Sequence, residues 1–267
     1  MHPIERLRLV ARADAEGRSS LLAREAASAL AMFSEDPAGL VTACRRLVDR
    51  HPTAGPIWWL AARVLVAADP AGEAWRAAEE LDDDPTASVL AALLPDESIV
   101  VVLGWPEQAS AALISRGDVV ARVVDVLGEG AGLARRLRAA GSDSVVIPES
   151  GIGAACATAD LVLLEASAAG DDGLLTIAGS HATAAVARQA GVPVWAVAAL
   201  GRVLPPALWR ALRSEVEGVE EPWDDVEEVT PASLVDNVVR SDGLAGAAAA
   251  LAKPDCGMAP ELLRRVG

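Results

Sequence analysis

The sequence predicts an α/β protein in two parts, a small amino-terminal helical domain over residues 1–95 and a doubly wound parallel-sheet domain over 96–267. Short apolar runs recur about every twenty residues in the second part and alternate with helical patterns, which is typical of a parallel sheet covered by helices. The first part has Ala/Leu/Arg-rich segments between turn and cap signals, and no strand pattern. A hydrophobic content of 52% in 267 residues is ample for a sizeable core.

The helical part is expected to be a small bundle. Leu21–Met32 and Ile57–Leu65 carry apolar residues close to i, i+3, i+4 spacing, as core-facing helices do. Trp58 and Trp59 are expected in the core or beneath the second domain, because adjacent residues on a helix point about 100° apart and make a poor ligand platform. The acidic run 79–84 is interpreted as a solvated helix end rather than a metal site.

The second part contains five clear strand patterns and one weaker one. Helices are expected after Trp105, Gly130, Gly151 and Gly179. The predicted strands are Ile99–Leu103, Val119–Val124, Ser144–Ile147, Leu161–Leu164 and Val194–Val197, with a further one at Glu228–Val229.

One strand, helix and strand form the centre of this domain. Leu161–Leu164 and Val192–Ala198 are near-continuous apolar runs, and Ser180–Gln189 between them has helical spacing. The stretch Glu165–Gly179 is predicted to be a Gly-rich loop at the carboxyl end of the first strand. Ligands bind at that edge of an open parallel sheet, and a helix amino terminus there suits an anion such as phosphate.

A spaced set of residues runs through this unit and gives it a family likeness. The set is Asp160, Val162, Ala166, Gly173, Gly179, Gly191, Val192 and Pro193, with Ser180 at a threonine position. It resembles the signature D-x-V-x-x-G-A-D, N-K-x-G-T and G-V-P-x-x-V of the alpha/beta/delta regulatory subunits of eukaryotic translation initiation factor 2B. The methylthioribose-1-phosphate and ribose-1,5-bisphosphate isomerases share that signature. Near the carboxyl end, WDDVEEVTPASLVDNVVRSDG looks like the terminal motif of the same family.

The resemblance implies the α/β fold of sugar-phosphate isomerases and coenzyme A transferases, and it raises the question of activity. In the isomerase branch a cysteine and an aspartate convert an aldose phosphate to a ketose, and an Asn-Lys pair and arginines hold the substrate. Here the cysteine position falls near Pro106, Ser167 replaces the aspartate, Thr176-Ile177 replaces Asn-Lys, and Glu165 replaces a glycine. The resemblance therefore implies a site whose isomerase machinery is lost or rebuilt.

Three residues are candidates for a catalytic role: Ser167, Glu165 and His181. Together they suggest a Ser/His/Glu cluster, but there is no G-x-S-x-G elbow around Ser167, and a histidine packed on the helix surface is the competing interpretation. A nicotinamide dehydrogenase is disfavoured, because Trp105 and Glu107 stand where a dinucleotide fingerprint needs glycines.

The predicted ligand site lies where the strand-to-helix loops meet at one sheet edge, with contributions from the helical domain. Arg18 and His51 stand near or at positions where the family has substrate-binding residues, although helix-end roles would explain both. The predicted ligand-binding residues are Arg18, His51, Gly104, Ser150, Thr176, Gly179 and Ser180.

Composition limits the partners. A net charge of −15 argues against direct nucleic-acid binding, which needs a lysine and arginine surface. Charged residues interrupt the amino terminus and the strongest apolar run, Ile57–Ala68, so neither a signal peptide nor a membrane span is expected. Cys44, Cys156 and Cys256 lack CxxC or disulfide spacing, which favours a reducing cytoplasm. No cofactor or metal site is predicted.

The sequence thus leads to a functional hypothesis with an alternative. The chain is expected to be a non-catalytic, initiation factor 2B-like protein that binds a small anionic metabolite, such as a sugar phosphate or nucleotide, or a protein partner. The alternative is an active aldose-ketose sugar-phosphate isomerase with substituted catalytic residues. A homodimer is expected from the relatives and from the apolar content of the second domain, including Trp195, Leu200, Val203, Leu204 and Trp209.

Overall fold

The computed structural model describes residues 19–33 and 35–263, and Arg18 lies outside the described residues. Asp36 and Asp69 cap two of the amino-terminal helices by accepting from the backbone N–H groups of Gly39 and Gly72, and a proline follows each cap. These helices are α1 (Ser19–Leu30), α2 (Pro37–Arg50), α3 (Gly55–Val66), α4 (Pro70–Asp82) and α5 (Thr86–Leu93).

The second part is a mostly parallel sheet with helices on both faces, so the predicted α/β class is confirmed. Its order is β3-β2-β1-β4-β6-β8-β9, parallel except for the last pair. The strands are β1 (Ile99–Leu103), β2 (Val120–Val124), β3 (Ser144–Ile147), β4 (Leu161–Ala169), β5 (Gly173–Ile177), β6 (Val194–Val197), β7 (Glu227–Pro231), β8 (Asn237–Arg240) and β9 (Gly243–Gly246). The helices are α6 (Glu107–Ser115), α7 (Gly130–Ala139), α8 (Ile152–Ala157), α9 (Ser180–Ala190), α10 (Pro206–Glu217) and α11 (Ala247–Leu251).

The predicted loop Glu165–Gly179 is wrong over most of its length. Strand β4 continues to Ala169, and β5 returns antiparallel to it and pairs in turn with β7. The pairing shifts register between Ala166 and Ala168, which places an irregularity at Ser167. The small and apolar residues of both strands are nearly all buried, and the acidic turn at Asp171-Asp172 separates the two strands.

The helical bundle and the β4–β5 hairpin share one hydrophobic core. Buried residues of α1 to α4 pack with Ala168 and Leu175 of the hairpin and with Trp209 of α10. A Cβ at Gly55, at the start of α3, would lie 2.5 Å from the carbonyl oxygen of Ser167, so helix and strand approach closely. Helix α5 instead packs against α6, β8 and β9 of the second part, although it precedes the expected boundary at 95/96.

Several apolar residues expected at a dimer contact are covered within one protomer. Val203, Leu204 and Trp209 are buried. The indole Nε1 of Trp209 donates to Asp172 at 2.7 Å. Trp58 and Trp59 are also buried, as expected, and the three cysteines are free thiols. None of the helices in the described ranges is both long and apolar enough to cross a membrane.

Candidate functional site

A cavity of about 460 Å³ opens at the carboxyl edge of β1 and β4, between the sheet and the start of α3. Its volume is in the range of small-molecule sites. It is lined by Thr53, Ala54, Leu103, Trp105, Pro106, Glu107, Leu127, Glu129, Leu163, Leu164, Glu165, Ile177, Ser180, Arg202, Val226 and Glu227. The lining is therefore an apolar wall with four carboxylates and one guanidinium.

Glu165 belongs to β4, and its carboxylate lies at the amino terminus of α6. Its carboxylate accepts from the backbone N–H groups of Glu107 at 3.1 Å, Gln108 at 2.9 Å and Ala109 at 3.0 Å, while only 8% of its side chain is exposed. Burial raises the pKa of Glu165, and the Arg202 guanidinium and the helix N–H groups partly offset that effect. The carboxylate thus fills the place where a helix start would otherwise hold a ligand anion.

Two further helices that begin at this edge are capped in the same way. The carboxylate of Asp125, just after β2, accepts from the N–H of Ala131 in α7 at 3.2 Å. Glu228 of β7 accepts from the N–H of His181 in α9 at 2.8 Å. Carboxylates of the protein itself therefore occupy N–H donors in the first turn of α6, α7 and α9.

Arg202 is the cationic centre of the cavity, and sequence analysis missed it. It follows β6 and the positive-φ residue Gly201, and only 4% of it is exposed. Its guanidinium donates to the carbonyl of Ala166 at 2.7 Å and to Glu107 at 3.3 Å, and lies 3.8 Å from Glu165. Its Nε atom is buried without a partner. The only sequence signal was an arginine in the loop that follows the apolar strand β6.

Glu227 faces the cavity from β7 and was also missed. The Ser167 hydroxyl donates to its carboxylate at 2.5 Å, and Thr53 provides a second hydrogen bond. Burial raises the pKa of Glu227, and these hydroxyl donors partly offset the rise. Ser167 lies at the register shift in β4, and its hydroxyl is engaged by this glutamate.

The structure does not bring Ser167, Glu165 and His181 together as a triad. Ser167 is bonded to Glu227, Glu165 to α6, and His181 is exposed on α9. Among the predicted ligand-binding residues with described positions, Ser180 lines the cavity, and its hydroxyl is buried with no hydrogen-bond partner.

The remaining predicted residues lie around or away from the cavity. Gly104 and Gly179 adjoin it with positive φ, and a Cβ at Gly104 would meet the lining residue Ile177 at 2.7 Å. Thr176 is buried and pairs with Thr230 at 2.8 Å. His51 is buried outside the lining, and Ser150 is exposed outside it. Within the described ranges, no cluster of three His, Cys, Asp or Glu residues is arranged to hold a metal ion.

The helical part and the mostly parallel sheet together have the fold of translation initiation factor 2B subunits and methylthioribose-1-phosphate isomerase. The translation initiation factor eIF-2B of Pyrococcus horikoshii OT3 is similar with a TM-score of 0.76 and 17% identity, over 93% of this chain and 98% of that one. The tetrameric eIF2B-beta2-delta2 complex of C. thermophilum matches with a TM-score of 0.72 and 18% identity, over 92% and 90%.

The isomerase side of the resemblance is also matched. The 5-methylthioribose 1-phosphate isomerase of Pyrococcus horikoshii OT3 has a TM-score of 0.62 and 16% identity, over 91% of this chain and 84% of that one. These likenesses confirm, at the level of the fold, the resemblance in the sequence. No family model and no curated protein sequence matches the chain.

Proposed function

We propose that the chain is a non-catalytic protein that binds a small molecule in the cavity at the carboxyl edge of the sheet. The supporting observation is that Glu165 is tied to three backbone N–H groups of α6. A carboxylate held by three donors has a structural task, and protonating it would break helix-capping bonds. The family positions for the isomerase cysteine, aspartate and Asn-Lys pair are also substituted.

An active isomerase is the second candidate, and one observation favours it. Glu165 and Glu227 are two carboxyls of raised pKa that line the same cavity. Such groups suit the movement of a proton between adjacent carbons. A measurement of substrate turnover distinguishes the two candidate functions.

The first experiment incubates purified protein with methylthioribose-1-phosphate and with ribose-1,5-bisphosphate and follows the ketose by NMR. We expect no product. Turnover at ordinary enzyme rates, roughly 1–10³ per second, would establish the isomerase instead.

The second experiment asks whether the cavity binds anything. A metabolite library is screened for compounds that raise the Tm, because a ligand that binds only the folded state stabilises it. Val226→Trp should close the rim and abolish the shift, whereas Val219→Trp, exposed but outside the lining, should retain it. A library without hits, or hits unaffected by Val226→Trp, would refute a binding role for the cavity.

Association with another chain is a further part of the proposal. The eIF2B beta and delta subunits of C. thermophilum, which have this fold, assemble into a tetrameric complex. For this chain we expect a homodimer in the cytoplasm. Trp209 no longer serves as a contact, because it is buried in the protomer, whereas Trp223 is 75% exposed. Sedimentation at micromolar concentration should show a dimer, and a monomer would contradict the expectation.

A further inference from the structure

We infer that the cavity selects ligands that carry a protonated amine on an apolar body. This inference rests on the proposed binding function and names its ligand class. It differs from the phosphorylated metabolite that the sequence analysis expects. Four features of the cavity support this ligand class: the occupied helix termini, the negative lining, a buried hydroxyl without a partner, and the apolar wall.

The helix termini at this edge are already supplied with negative charge. Glu165, Asp125 and Glu228 accept from first-turn N–H groups of α6, α7 and α9. A phosphate at any of these sites would have to displace or approach a carboxylate, and like charges at short range repel. The feature of the fold that suits anions is therefore used internally.

The charge of the lining is negative in either protonation state of its buried acids. The lining contains Glu107, Glu129, Glu165 and Glu227 against Arg202, the one cationic side chain that the described residues place there. If both Glu165 and Glu227 are counted as protonated, two carboxylates still face one guanidinium. The two terminal nitrogens of that guanidinium already donate to the Ala166 carbonyl and to Glu107, and its buried Nε is the one donor nitrogen left without a partner.

The Ser180 hydroxyl is an independent pointer to a ligand. Only 1% of Ser180 is exposed, its Oγ has no hydrogen-bond partner, and the residue lines the cavity. A buried polar atom without a partner is costly, so a ligand N–H that bonds to it gains binding free energy. An ammonium group supplies three donors, which fits an oxygen-rich site.

Most of the other lining residues are hydrophobic, so the cavity favours a ligand whose body is apolar. Leu103, Leu163, Ile177 and Val226 line the cavity with apolar side chains, and Trp105 in the lining is 40% exposed. Burial of apolar area on such a wall contributes to affinity, and an indole face attracts a cation. An aryl or alkyl amine therefore matches both halves of the cavity.

The test uses three probes of one shape and different charge: 2-phenylethylamine, 2-phenylethanol and phenylacetate. Dissociation constants are measured by calorimetry or ligand-observed NMR. We expect the amine to bind about tenfold more tightly than the alcohol, and phenylacetate to bind most weakly, because one charge-assisted hydrogen bond suffices for a tenfold difference. A higher salt concentration should reduce the difference in affinity between the amine and the alcohol, because it screens the charge of the amine.

Matched variants separate the cavity from the generally acidic surface. Glu129→Gln, in the lining, should reduce the preference for the amine over the alcohol severalfold. Glu149→Gln, exposed at the same sheet edge but outside the lining, should leave it unchanged. Equal effects of the two variants would mean attraction by net charge alone and would overturn the inference.

Other outcomes also decide the question. Equal binding of all three probes, abolished by Val226→Trp, would overturn the amine inference and leave the binding function standing. Tighter binding of phenylacetate, lost in Arg18→Ala, would overturn it in favour of the anionic ligand. Failure of the amine to bind at millimolar concentration would overturn it while the metabolite screen still tests the binding function.

Discussion

Replacing Glu165 with alanine should destabilise the protein and create a binding site for phosphate. The variant removes the three hydrogen bonds that the carboxylate accepts from the start of α6. It also removes the ion pair between Glu165 and the Arg202 guanidinium, which lies 3.8 Å away. Loss of a helix cap costs about 0.5–2 kcal/mol, and hydrogen bonds to a charged group contribute about 1.5–3 kcal/mol each. Water from the cavity can replace part of these bonds, and the cost of burying Glu165 is recovered. We therefore expect a net loss of about 2–3 kcal/mol.

Such a loss corresponds to a fall in Tm of roughly 4–12 °C for a chain of this size. Added phosphate should restore stability, because it can take the three freed N–H donors, and a concentration of 100 Kd returns about 2.7 kcal/mol. The assay is urea unfolding with and without phosphate for the wild type, Glu165→Ala and the control Glu149→Ala. Glu165→Gln, which keeps one acceptor oxygen, should lose less and gain less from phosphate.

The reasoning would be refuted by an alanine variant as stable as the wild type. It would also be refuted if phosphate stabilised all of these proteins equally, since that would indicate a general salt effect rather than a vacated helix terminus.

Three further predictions concern other parts of the chain. Because burial raises the pKa of Glu227, the native state binds more protons than the unfolded state above pH about 4.3, so stability falls as pH rises there; Glu227→Gln should flatten that fall in urea titrations at several pH values. A Cβ at Gly170 would lie 2.1 Å from the Trp209 ring, so Gly170→Ala should cost about 1–3 kcal/mol in the same assay, and an unchanged midpoint would contradict the packing. Burial raises the pKa of Cys44 and of Cys256 to about 12, so both thiols should react with a thiol reagent at pH 8 only after urea unfolding; rapid labelling of the native protein would disprove this.

The sequence predicted the fold where elements are long and strongly patterned. The five strands predicted between Ile99 and Val197 and the helices predicted between them are present in the expected order, because continuous apolar runs mark strands covered on both faces. The hairpin of β4 and β5 was missed. Its alanines, glycines and acidic turn look like a loop, and its strand character comes from pairing with β7 and burial under α3, which are long-range contacts.

A cavity lies at the sheet edge where the sequence places a ligand site, but only part of its lining was expected from the sequence. The edge of the sheet, Glu165 and Ser180 were identified from the likeness and the topology. Arg202 and Glu227 were not, because each reaches the cavity through a tertiary arrangement: one follows β6, and the other lies on a strand that pairs with the hairpin. Their separation in sequence from Glu165 gives no local signal.

The shared core of the bundle and the hairpin has a consequence for synthesis of the protein. Helices α1 to α4 end at Asp82, yet their core includes Trp209, Leu212 and Leu262. A ribosome that adds about 5–20 residues per second completes that core roughly 10–35 s after the bundle helices have been made. During that interval the apolar face of the nascent helices lacks its cover, so the bundle should depend on chaperones until the last segment emerges.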